Sequence, residues 1–462
     1  MPLIKSISGI RGTIGGTPGE SLSPLDIVRF TSAYATLVKL KSGHKNRYKV
    51  VVGRDGRISG SAVESLVCGT LASCGVDIIN CGMAATPTVE MAVLFEKADG
   101  GIVITASHNP REWNALKLLN ERGECLLPED AEKLLALVDR ETFDYVPVDN
   151  LGTTTVQDFT TQHIEAVLSY PLVNAEAISR AGYKVVLDPV NSVGALIVPE
   201  LLTALGVTCV VINGEANGQF DHNPEPLPEN LTELSTRVVN EKADLGIAVD
   251  PDVDRLVLIC EDGNSFGEEY TIVAIADYFL KHKKGATVSN LSSSRALKDI
   301  TEAVGELYYS AAVGEVNVVN EMKRVGALIG GEGNGGVIVP DFHYGRDAII
   351  GLALFLSYMA TEKVSAGKLK KRFPAYYLSK NRVELSPAVN VDTILKATAK
   401  RYSNYRITDI DGIKIDFDQE KRWVHLRKSN TEPIIRIYAE ALTQEDADRT
   451  AFEIIDFIKE SS

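Results

Sequence analysis

The chain has 462 residues, of which 45% are hydrophobic and 24% are charged, and its formal net charge is −14. This length exceeds what one hydrophobic core usually supports, so we expect about three or four domains. The negative charge argues against a nucleic-acid-binding protein, because phosphate backbones require a basic surface. An anionic substrate would therefore need a local cationic pocket.

The cysteines and the apolar runs indicate where such a protein works. Its six cysteines are scattered and include no C-x-x-C pair, which argues against a zinc site or a disulfide framework and suits a reducing cytosol. The chain has no run of eighteen apolar residues, and its start, "MPLIKSISGIRG", lacks the apolar core of a signal peptide. We therefore expect a cytoplasmic protein with no membrane partner and no nucleic-acid partner.

In chain order, the first elements alternate between strands and helices. Apolar strand-like runs such as "KVVVGRD" and "VDIINCG" flank the amphipathic stretch "GSAVESLVCGTLASCG", and "GIVITASHNP" follows. The same rhythm returns in "YKVVLDPVNSVG" and "VTCVVING", and again from about Tyr270. This alternation predicts mostly parallel sheets covered by helices on both faces.

The last hundred residues follow another pattern. A helical stretch, "VDTILKATAKRY", precedes the strand-like runs "YRITDIDGIKIDF", "RWVHLRKSN" and "PIIRIYAEA", and a closing helix follows. This order is typical of an α+β module with antiparallel strands. We therefore predict an α/β protein of three similar mixed α/β domains plus a C-terminal α+β domain. The predicted domain ranges are 1–154, 155–257, 258–370 and 371–462.

The first candidate for chemistry is the segment "TASHNP", which directly follows a predicted strand. Ser107, Asn109 and Pro110 are ordinary turn residues, so a plain polar turn is one interpretation. The other is that Ser107 is presented at a strand end as a nucleophile, with Lys117 ten positions later. This segment alone leaves both open.

Three aspartates form the second candidate. Asp250, Asp252 and Asp254 alternate along "LGIAVDPDVDRLVLIC", between two apolar runs. Like charges this close favour a bound cation, and carboxylate oxygens suit Mg²⁺. An EF-hand calcium loop is disfavoured because Arg255 stands where that loop requires glycine. An exposed acidic turn remains a possible interpretation.

The segment "GEGNGG" at 331–336 formally matches the dinucleotide-binding pattern G-x-G-x-x-G. That pattern requires a helix after the last glycine, whereas the β-branched run "VIVP" follows here. We therefore reject the dinucleotide interpretation. A turn that presents Glu332 and Asn334 could bind vicinal sugar hydroxyls, or it could be an incidental hairpin turn.

The segment "HLRKSNTEPIIRI" concentrates cations and small polar side chains around one turn. Arginines bind phosphate through two donors at once, and hydroxyl groups fill its remaining oxygens. A solvated hairpin tip is the alternative. The candidate phosphate ligands are Arg427, Ser429, Asn430, Thr431 and Arg436.

Taken together, "TASHNP", "DPDVDR", "GEGNGG" and "RKSNTEP" make the chain resemble the α-D-phosphohexomutase family, over essentially its whole length and in the family's motif order. The family comprises phosphoglucomutases, phosphomannomutases and phosphoglucosamine mutases. The resemblance implies four domains around a central active-site cleft. It also implies a small-molecule phosphosugar substrate, and it is compatible with a homo-oligomer.

The resemblance also implies a role for each motif residue. Ser107 would be the phosphoserine, and together with Asp250, Asp252 and Asp254 it would hold Mg²⁺. A hexose 1,6-bisphosphate would be the intermediate and the activator. Lys117 would be the general acid/base, and His108, Arg11 and Arg255 would lie beside the transferring phosphoryl group. Glu332 and Asn334 would bind the sugar. The other phosphate would be held by Arg427, Ser429, Asn430, Thr431 and Arg436.

Several positions depart from the family pattern and leave the sugar open. The sugar loop of many relatives ends in histidine, where this chain has Gly336, and we considered His343 as a substitute. Many relatives carry a basic residue where this chain has Ala312. We expect interconversion of hexose 1-phosphate and hexose 6-phosphate, on glucose or mannose. Alternatives are a phosphoglucosamine mutase and a non-catalytic sugar-phosphate binder, whereas a metal-dependent phosphatase is disfavoured because no residue beyond the aspartates could activate water.

Overall fold

The computed structural model describes residues 3–6, 9–384, 391–428 and 434–461. Within these residues the named strands form four separate sheets, one after another along the chain. This agrees with the expectation of α/β units followed by a different C-terminal unit.

The first unit contains a seven-stranded sheet. Its strands are β1 (Ile4–Ser6), β2 (Gly9–Thr13), β3 (Tyr48–Arg54), β4 (Val76–Met83), β5 (Gly100–Ile104), β6 (Trp113–Leu119) and β7 (Thr154–Val156). Its helices are α1 (Pro24–Ser42), α2 (Gly60–Ser73), α3 (Thr86–Glu96) and α4 (Pro128–Arg140). The strand order is β1-β2-β6-β5-β3-β4-β7, and β3, β4, β5 and β7 run parallel while β1, β2 and β6 pair antiparallel. Strand β5 is buried along its whole length, as expected where helices cover both faces of a sheet.

The second unit is smaller. Its strands are β8 (Lys184–Asp188), β9 (Thr208–Val211), β10 (Leu245–Val249) and β11 (Leu256–Cys260). Its helices are α5 (Thr160–Leu168), α6 (Ala175–Ala181), α7 (Gly194–Ala204) and α8 (Thr232–Glu241). The order is β11-β10-β8-β9, in which only the β10–β11 pair is antiparallel. The turn between β10 and β11 carries the three aspartates.

The third unit repeats this arrangement. Its helices are α9 (Glu268–His282), α10 (Ala296–Ala303), α11 (Glu315–Val325), α12 (Ala348–Glu362) and α13 (Ala366–Lys370). Its strands are β12 (Thr287–Asn290), β13 (Tyr308–Ala311), β14 (Ile329–Glu332), β15 (Gly336–Val339) and β16 (His343–Arg346), in the order β13-β12-β14-β15-β16. The "GEGNGG" turn joins β14 to β15, so a strand follows it, as expected.

The fourth unit is an antiparallel sheet with helices on one face. Its strands are β17 (Tyr377–Glu384), β18 (Arg406–Thr408), β19 (Ile413–Phe417), β20 (Arg422–Lys428) and β21 (Ile434–Ala441), and its helices are α14 (Val391–Arg401) and α15 (Gln444–Ser461). The order is β17-β21-β20-β19-β18, and every pair is antiparallel. The apolar face, including Leu426 and Ile437, packs against Ile454 and Ile458 of α15. The expected α+β module is confirmed.

The units are joined in different ways. One continuous apolar cluster runs through the second and third units, which therefore share a core. The fourth unit instead meets the third largely through polar groups: Ser292 bonds His425 at 2.9 Å, and Lys414 donates to the carbonyl of Leu291 at 2.8 Å. A polar joint of this kind is easier to open than a shared apolar core.

The predicted domain ranges remain a proposal. Two of their boundaries, 154/155 and 257/258, fall inside β7 and β11. Among the described residues, no helix is long and apolar enough to cross a bilayer.

Candidate active site

Ser107 lies in the turn that follows β5, and its side chain points at the aspartates of the second unit. Its Oγ donates to Oδ2 of Asp250 at 2.7 Å and lies 3.2 Å from Nδ1 of His108. The residue is 3% exposed, and its φ of 48° is in the left-handed region, which is unusual for a residue other than glycine. The backbone N–H of Ser107 donates to Oγ1 of Thr105 at 2.9 Å. The turn therefore presents the hydroxyl group in a fixed direction.

The three aspartates form a compact buried cluster. Asp250, Asp252 and Asp254 each offer a carboxylate oxygen within 4.8 Å of the others. One oxygen each of Asp252 and Asp254 is buried without a hydrogen-bond partner among the described residues. Burial and the charges of Asp254 and Asp252 raise the pKa of Asp250 well above its usual value. Buried carboxylates with unused oxygens fit a hard divalent cation, so this cluster can hold the Mg²⁺ that the sequence indicates.

Lys117 lies against the same carboxylates. It is on β6, opposite Val103 of β5, and its Nζ lies 2.5 Å from Oδ2 of Asp252 and 3.0 Å from Oδ2 of Asp254. Although burial opposes it, the charges of Asp252 and Asp254 hold the pKa of Lys117 above its usual value. The lysine is therefore an ammonium ion in contact with the cluster, brought there by a hairpin of the first unit.

The other predicted cations surround Ser107. Nε of Arg255 lies 4.0 Å from oxygens of Asp250 and Asp254, and Nη1 of Arg11 donates to Oδ1 of Asn109 at 2.6 Å. Burial, together with the positive charges of Arg255 and Arg11, lowers the pKa of His108 well below its usual value. His108 is thus a neutral imidazole beside the hydroxyl group at neutral pH.

Glu225, in the segment "NPEPLPEN", was not among the residues predicted from the sequence. Its Oε1 lies 3.6 Å from Nη1 of Arg255 and 3.9 Å from Nε2 of His108. The carboxylate therefore sits between the two groups predicted to flank the phosphoryl group. Its signal in the sequence is the proline-rich segment that interrupts the second unit.

Glu332, in the "GEGNGG" turn that is proposed as the sugar loop, is held from several sides. Glu332 is 3% exposed and accepts hydrogen bonds from Nδ2 of Asn290 at 2.8 Å and from the backbone N–H of Gly314 at 3.1 Å. Oδ1 of Asn334 accepts the N–H of Gly336 at 3.1 Å, so this side chain shapes the turn. Both residues lie where β14 and β15 meet.

Arg346 was missed by the sequence analysis. Its Nη1 donates to Glu332 at 2.7 Å and its Nη2 donates to Asp254 at 2.6 Å, so one guanidinium joins the sugar loop to the acidic cluster. A Cβ atom at Gly336 would lie only 2.4 Å from Cδ of Arg346. Gly336 therefore leaves the space that Arg346 fills. The departure at position 336 was the signal that could have identified it.

His343 is occupied elsewhere. Its Nε2 bonds Oδ2 of Asp347 at 3.1 Å and its Nδ1 lies 3.5 Å from Oε2 of Glu90. His163 of the second unit bonds the same Asp347 oxygen at 3.0 Å. These contacts place His343 in a buried joint between three units rather than beside Glu332.

The distal arginines lie on the sheet face that meets the third unit. Arg427 pairs with Arg436 across β20 and β21, and Nε of Arg427 lies 2.7 Å from Oδ2 of Asp411. The same Asp411 oxygen accepts the N–H of Val313, whose neighbour Gly314 donates to the sugar loop. Arg427 is thus linked, through Asp411, to the backbone segment that bonds Glu332. Ser429, Asn430 and Thr431 lie outside the described residues.

The register of the fourth sheet adds Arg382, which the sequence analysis did not select. Arg382 of β17 is opposite Arg436, which is opposite Arg427 in turn. Residues directly opposite each other in a sheet point to the same face, so three arginines form a row. Like charges in this position repel one another, which a bound anion would relieve.

Comparison with known proteins finds matches to all four units of the chain. The family models for phosphoglucomutase/phosphomannomutase α/β/α domains I, II and III and for the C-terminal domain match residues 4–145, 161–263, 267–377 and 382–457. A crystal structure of a phosphoglucomutase/phosphomannomutase family protein from Burkholderia thailandensis has the same fold, with a TM-score of 0.83, 24% identity, and coverage of 99% of this chain and 98% of that one.

Two curated relatives are more similar in sequence. A phosphoglucomutase/phosphomannomutase of Thermococcus kodakarensis is 36% identical over 442 residues, which cover 94% of this chain and 95% of the relative. A phosphoglucosamine/phosphogalactosamine mutase of Sulfurisphaera tokodaii is 34% identical over 457 residues, covering 96% and 97%. With all four domain models matched in order along the chain, the chain belongs to the α-D-phosphohexomutase family.

Proposed function

We propose that this protein interconverts hexose 1-phosphate and hexose 6-phosphate by transferring a phosphoryl group to and from Ser107. The observation that carries the proposal is the contact between Oγ of Ser107 and Asp250, at 2.7 Å, inside a cluster that Lys117 also touches. Nucleophile, acidic cluster and proton carrier come from different parts of the chain and meet at one point. Phosphoryl transfer depends mainly on such positioning and on charge neutralisation.

In the proposed forward step, the bond between phosphorus and Oγ of Ser107 breaks while a bond to a sugar hydroxyl oxygen forms. One proton leaves the sugar hydroxyl and one returns to Oγ, and Lys117 is the proposed carrier. Arg11 and Arg255 would balance the charge of the phosphoryl group, and His108 would orient it. When bound by the three aspartates, Mg²⁺ would act as a Lewis acid on that group.

The product of this step is a hexose 1,6-bisphosphate, which has to turn over before its other phosphate can return to Ser107. The distal site therefore has to accept either phosphate. We propose that Arg427 and Arg436, together with Ser429, Asn430 and Thr431, hold the phosphate that is not reacting. Glu332 and Asn334 would bind the sugar hydroxyl groups in both orientations.

The hexose that the protein acts on is proposed from the names of its relatives. Glucose or mannose phosphate is our first candidate, and the name of the Thermococcus relative favours it. Glucosamine phosphate is the alternative, favoured by the name of the Sulfurisphaera relative. A non-catalytic binder is disfavoured because Ser107, Lys117 and the aspartates are all present and in contact. A cytoplasmic location, also proposed, is supported by six free cysteines.

Replacement of the nucleophile tests the proposal. Ser107→Ala should lower kcat for glucose 1-phosphate isomerisation by about 10⁴-fold or more, because it removes the proposed acceptor of the phosphoryl group. Binding of the sugar phosphate, measured by calorimetry, should persist. Ser61→Ala, at an exposed position on α2, is the matched control and should retain full turnover. Undiminished turnover by Ser107→Ala would refute the proposal.

A further inference from the structure

A buried arginine lies directly beneath the turn that carries Ser107. Arg57 follows β3 and is 1% exposed. A guanidinium group has five N–H donors, and all five of its N–H groups have an acceptor here. Nε donates to Asp55 Oδ2 at 3.1 Å, Nη1 to the carbonyls of Pro110 and Trp113 at 2.7 and 2.9 Å, and Nη2 to those of Ser107 and Asn109 at 2.5 and 2.6 Å.

Arg57 is also connected, through Asp55 and Thr105, to the backbone N–H of Ser107. Asp55, the carboxylate partner of Arg57, accepts a hydrogen bond from Oγ1 of Thr105 at 2.6 Å. Oγ1 of Thr105 in turn accepts the N–H of Ser107 at 2.9 Å. The carbonyl of Ser107 is thus held by Arg57 directly, and its N–H is held through Asp55 and Thr105. These bonds stabilise a backbone with φ of 48°, which a serine rarely adopts.

The neighbouring residue extends the support to the acidic cluster. The N–H of Gly56 donates to Oγ of Ser192 at 3.0 Å, and this hydroxyl donates to the carbonyl of Pro251 at 2.6 Å. Pro251 lies between Asp250 and Asp252 in the sequence. Residues 55–57 therefore contact the Ser107 turn on one side and reach the aspartate turn on the other.

We propose that Arg57 is a positioning residue that fixes Ser107 relative to the aspartates for phosphoryl transfer, an inference that rests on the proposed function. Arg57 has no free N–H group left for a substrate, so it acts through the turn. A lysine could not replace it, because one ammonium group cannot reach acceptors spread along the turn from Ser107 to Trp113. Misplacement of a reacting group by about 1 Å can slow a reaction by about 100-fold.

Arg57→Lys tests this role, with Arg47→Lys, an exposed arginine of the same unit, as control. We expect kcat of Arg57→Lys to fall by about 100-fold while KM for the hexose phosphate stays within about threefold, because the substrate contacts remain. The ³¹P resonance of phosphorylated Ser107 should shift in this variant and not in the control. A folded Arg57→Lys with the wild-type kcat, or with a loss confined to KM, would overturn the inference.

A second pair of variants covers the case in which Arg57→Lys does not fold. Thr105→Val removes the hydroxyl that holds the N–H of Ser107, whereas Thr105→Ser keeps it. We expect Thr105→Ser to recover most of the kcat that Thr105→Val loses, and equal kcat values would overturn the inference. Measuring the phosphorylation of Ser107 in the wild type by mass spectrometry distinguishes a failure of the proposed function from a failure of the inference about Arg57. An unphosphorylated, inactive wild type contradicts the proposed function, and an active wild type matched by Arg57→Lys contradicts only the inference.

Discussion

Arg346 is the residue whose role depends most on the folded structure. Its two Nη atoms donate to Asp254 and Glu332, residues that are 92 and 14 positions away in the chain. It therefore connects the acidic cluster, where the phosphoryl group would be transferred, to the loop that would bind the sugar. A planar guanidinium group can serve two carboxylates in this way, and a lysine cannot.

We expect Arg346→Lys to lower kcat/KM on hexose 1-phosphates by about 10- to 100-fold, the range of a hydrogen bond to a charged group. The loss should differ among glucose, mannose and glucosamine 1-phosphates, because Glu332 would lose the partner that fixes its direction. Steady-state kinetics on the three substrates measures this. Arg324→Lys, on the exposed end of α11, is the control. Equal kcat/KM values for Arg346→Lys and the wild type would rule out this role.

Single residues also show what a sequence can and cannot disclose. Ser107 and the three aspartates belong to short motifs, so the sequence made them candidates and the family resemblance gave them roles. The structure brings them into contact. Arg346 has no motif of its own, because its partners lie in distant segments. One trace of it in the sequence is Gly336, where a Cβ atom would lie only 2.4 Å from Cδ of Arg346.

At the scale of the element, the register of three strands forms the arginine row of the proposed phosphate site. Strands β17, β21 and β20 place Arg382, Arg436 and Arg427 in one row. The two arginines in the "RKSNTEPIIRI" segment were predicted from the sequence, whereas Arg382 was not. Its alignment with them depends on the pairing of two strands, β17 and β21, that are about fifty residues apart in the chain. The strand types were predictable from alternation, but the pairing that builds the row was not.

Arg382→Gln should therefore have two opposite effects. It should raise KM for the sugar phosphate by about 3- to 10-fold through loss of a phosphate contact. It should also stabilise the unliganded protein by about 0.2–1 kcal/mol, because like charges opposite each other in a sheet are destabilising. Kinetics and thermal unfolding without ligand measure the two.

The control for this prediction is Lys400→Gln, which removes an exposed charge from α14, on the other side of the sheet. If both variants raise KM equally, the effect is one of net charge and the arginine row has no specific role. An Arg382→Gln variant with an unchanged KM would also show that the arginine row has no specific role.

At the scale of the whole molecule, the joint between the third and fourth units is polar and buried. Glu440 accepts hydrogen bonds from Nε1 of Trp423 at 2.7 Å and from the backbone N–H of Arg295 at 2.9 Å. Burial raises the pKa of Glu440 to about 7, against the opposing effect of Lys414, and raises that of Glu269 across the joint to about 8. Domain count was predictable from length and alternation, but a joint assembled from residues this far apart was not.

This joint predicts a pH dependence. A glutamate whose pKa is raised on folding binds its proton more tightly in the folded state than in the unfolded state. Its contribution to stability is complete below the unfolded pKa of 4.5 and is lost as pH rises through about 7. Glu440→Gln removes this dependence. The melting temperature of the variant minus that of the wild type should therefore increase from pH 5 to pH 8. The increase should correspond to at most about 3 kcal/mol of unfolding free energy.

Thermal unfolding at several pH values measures that difference, with Glu453→Gln, an exposed glutamate of α15, as control. A difference between Glu440→Gln and the wild type that stays constant from pH 5 to pH 8 would show that Glu440 does not titrate in this range. A pKa lowered by folding would instead change the difference only below about pH 5, where the unfolded carboxylate takes up its proton.

The central claim is that Ser107 carries the phosphoryl group between two positions of one sugar. The most direct measurement is to label the protein with a ³²P-hexose 1,6-bisphosphate, to map the label by proteolysis, and to follow its transfer to unlabelled hexose 1-phosphate. The account predicts label on the peptide containing Ser107 and its complete transfer to the sugar phosphate. Label on another residue, or label on Ser107 that water removes and sugar phosphate does not, would contradict it.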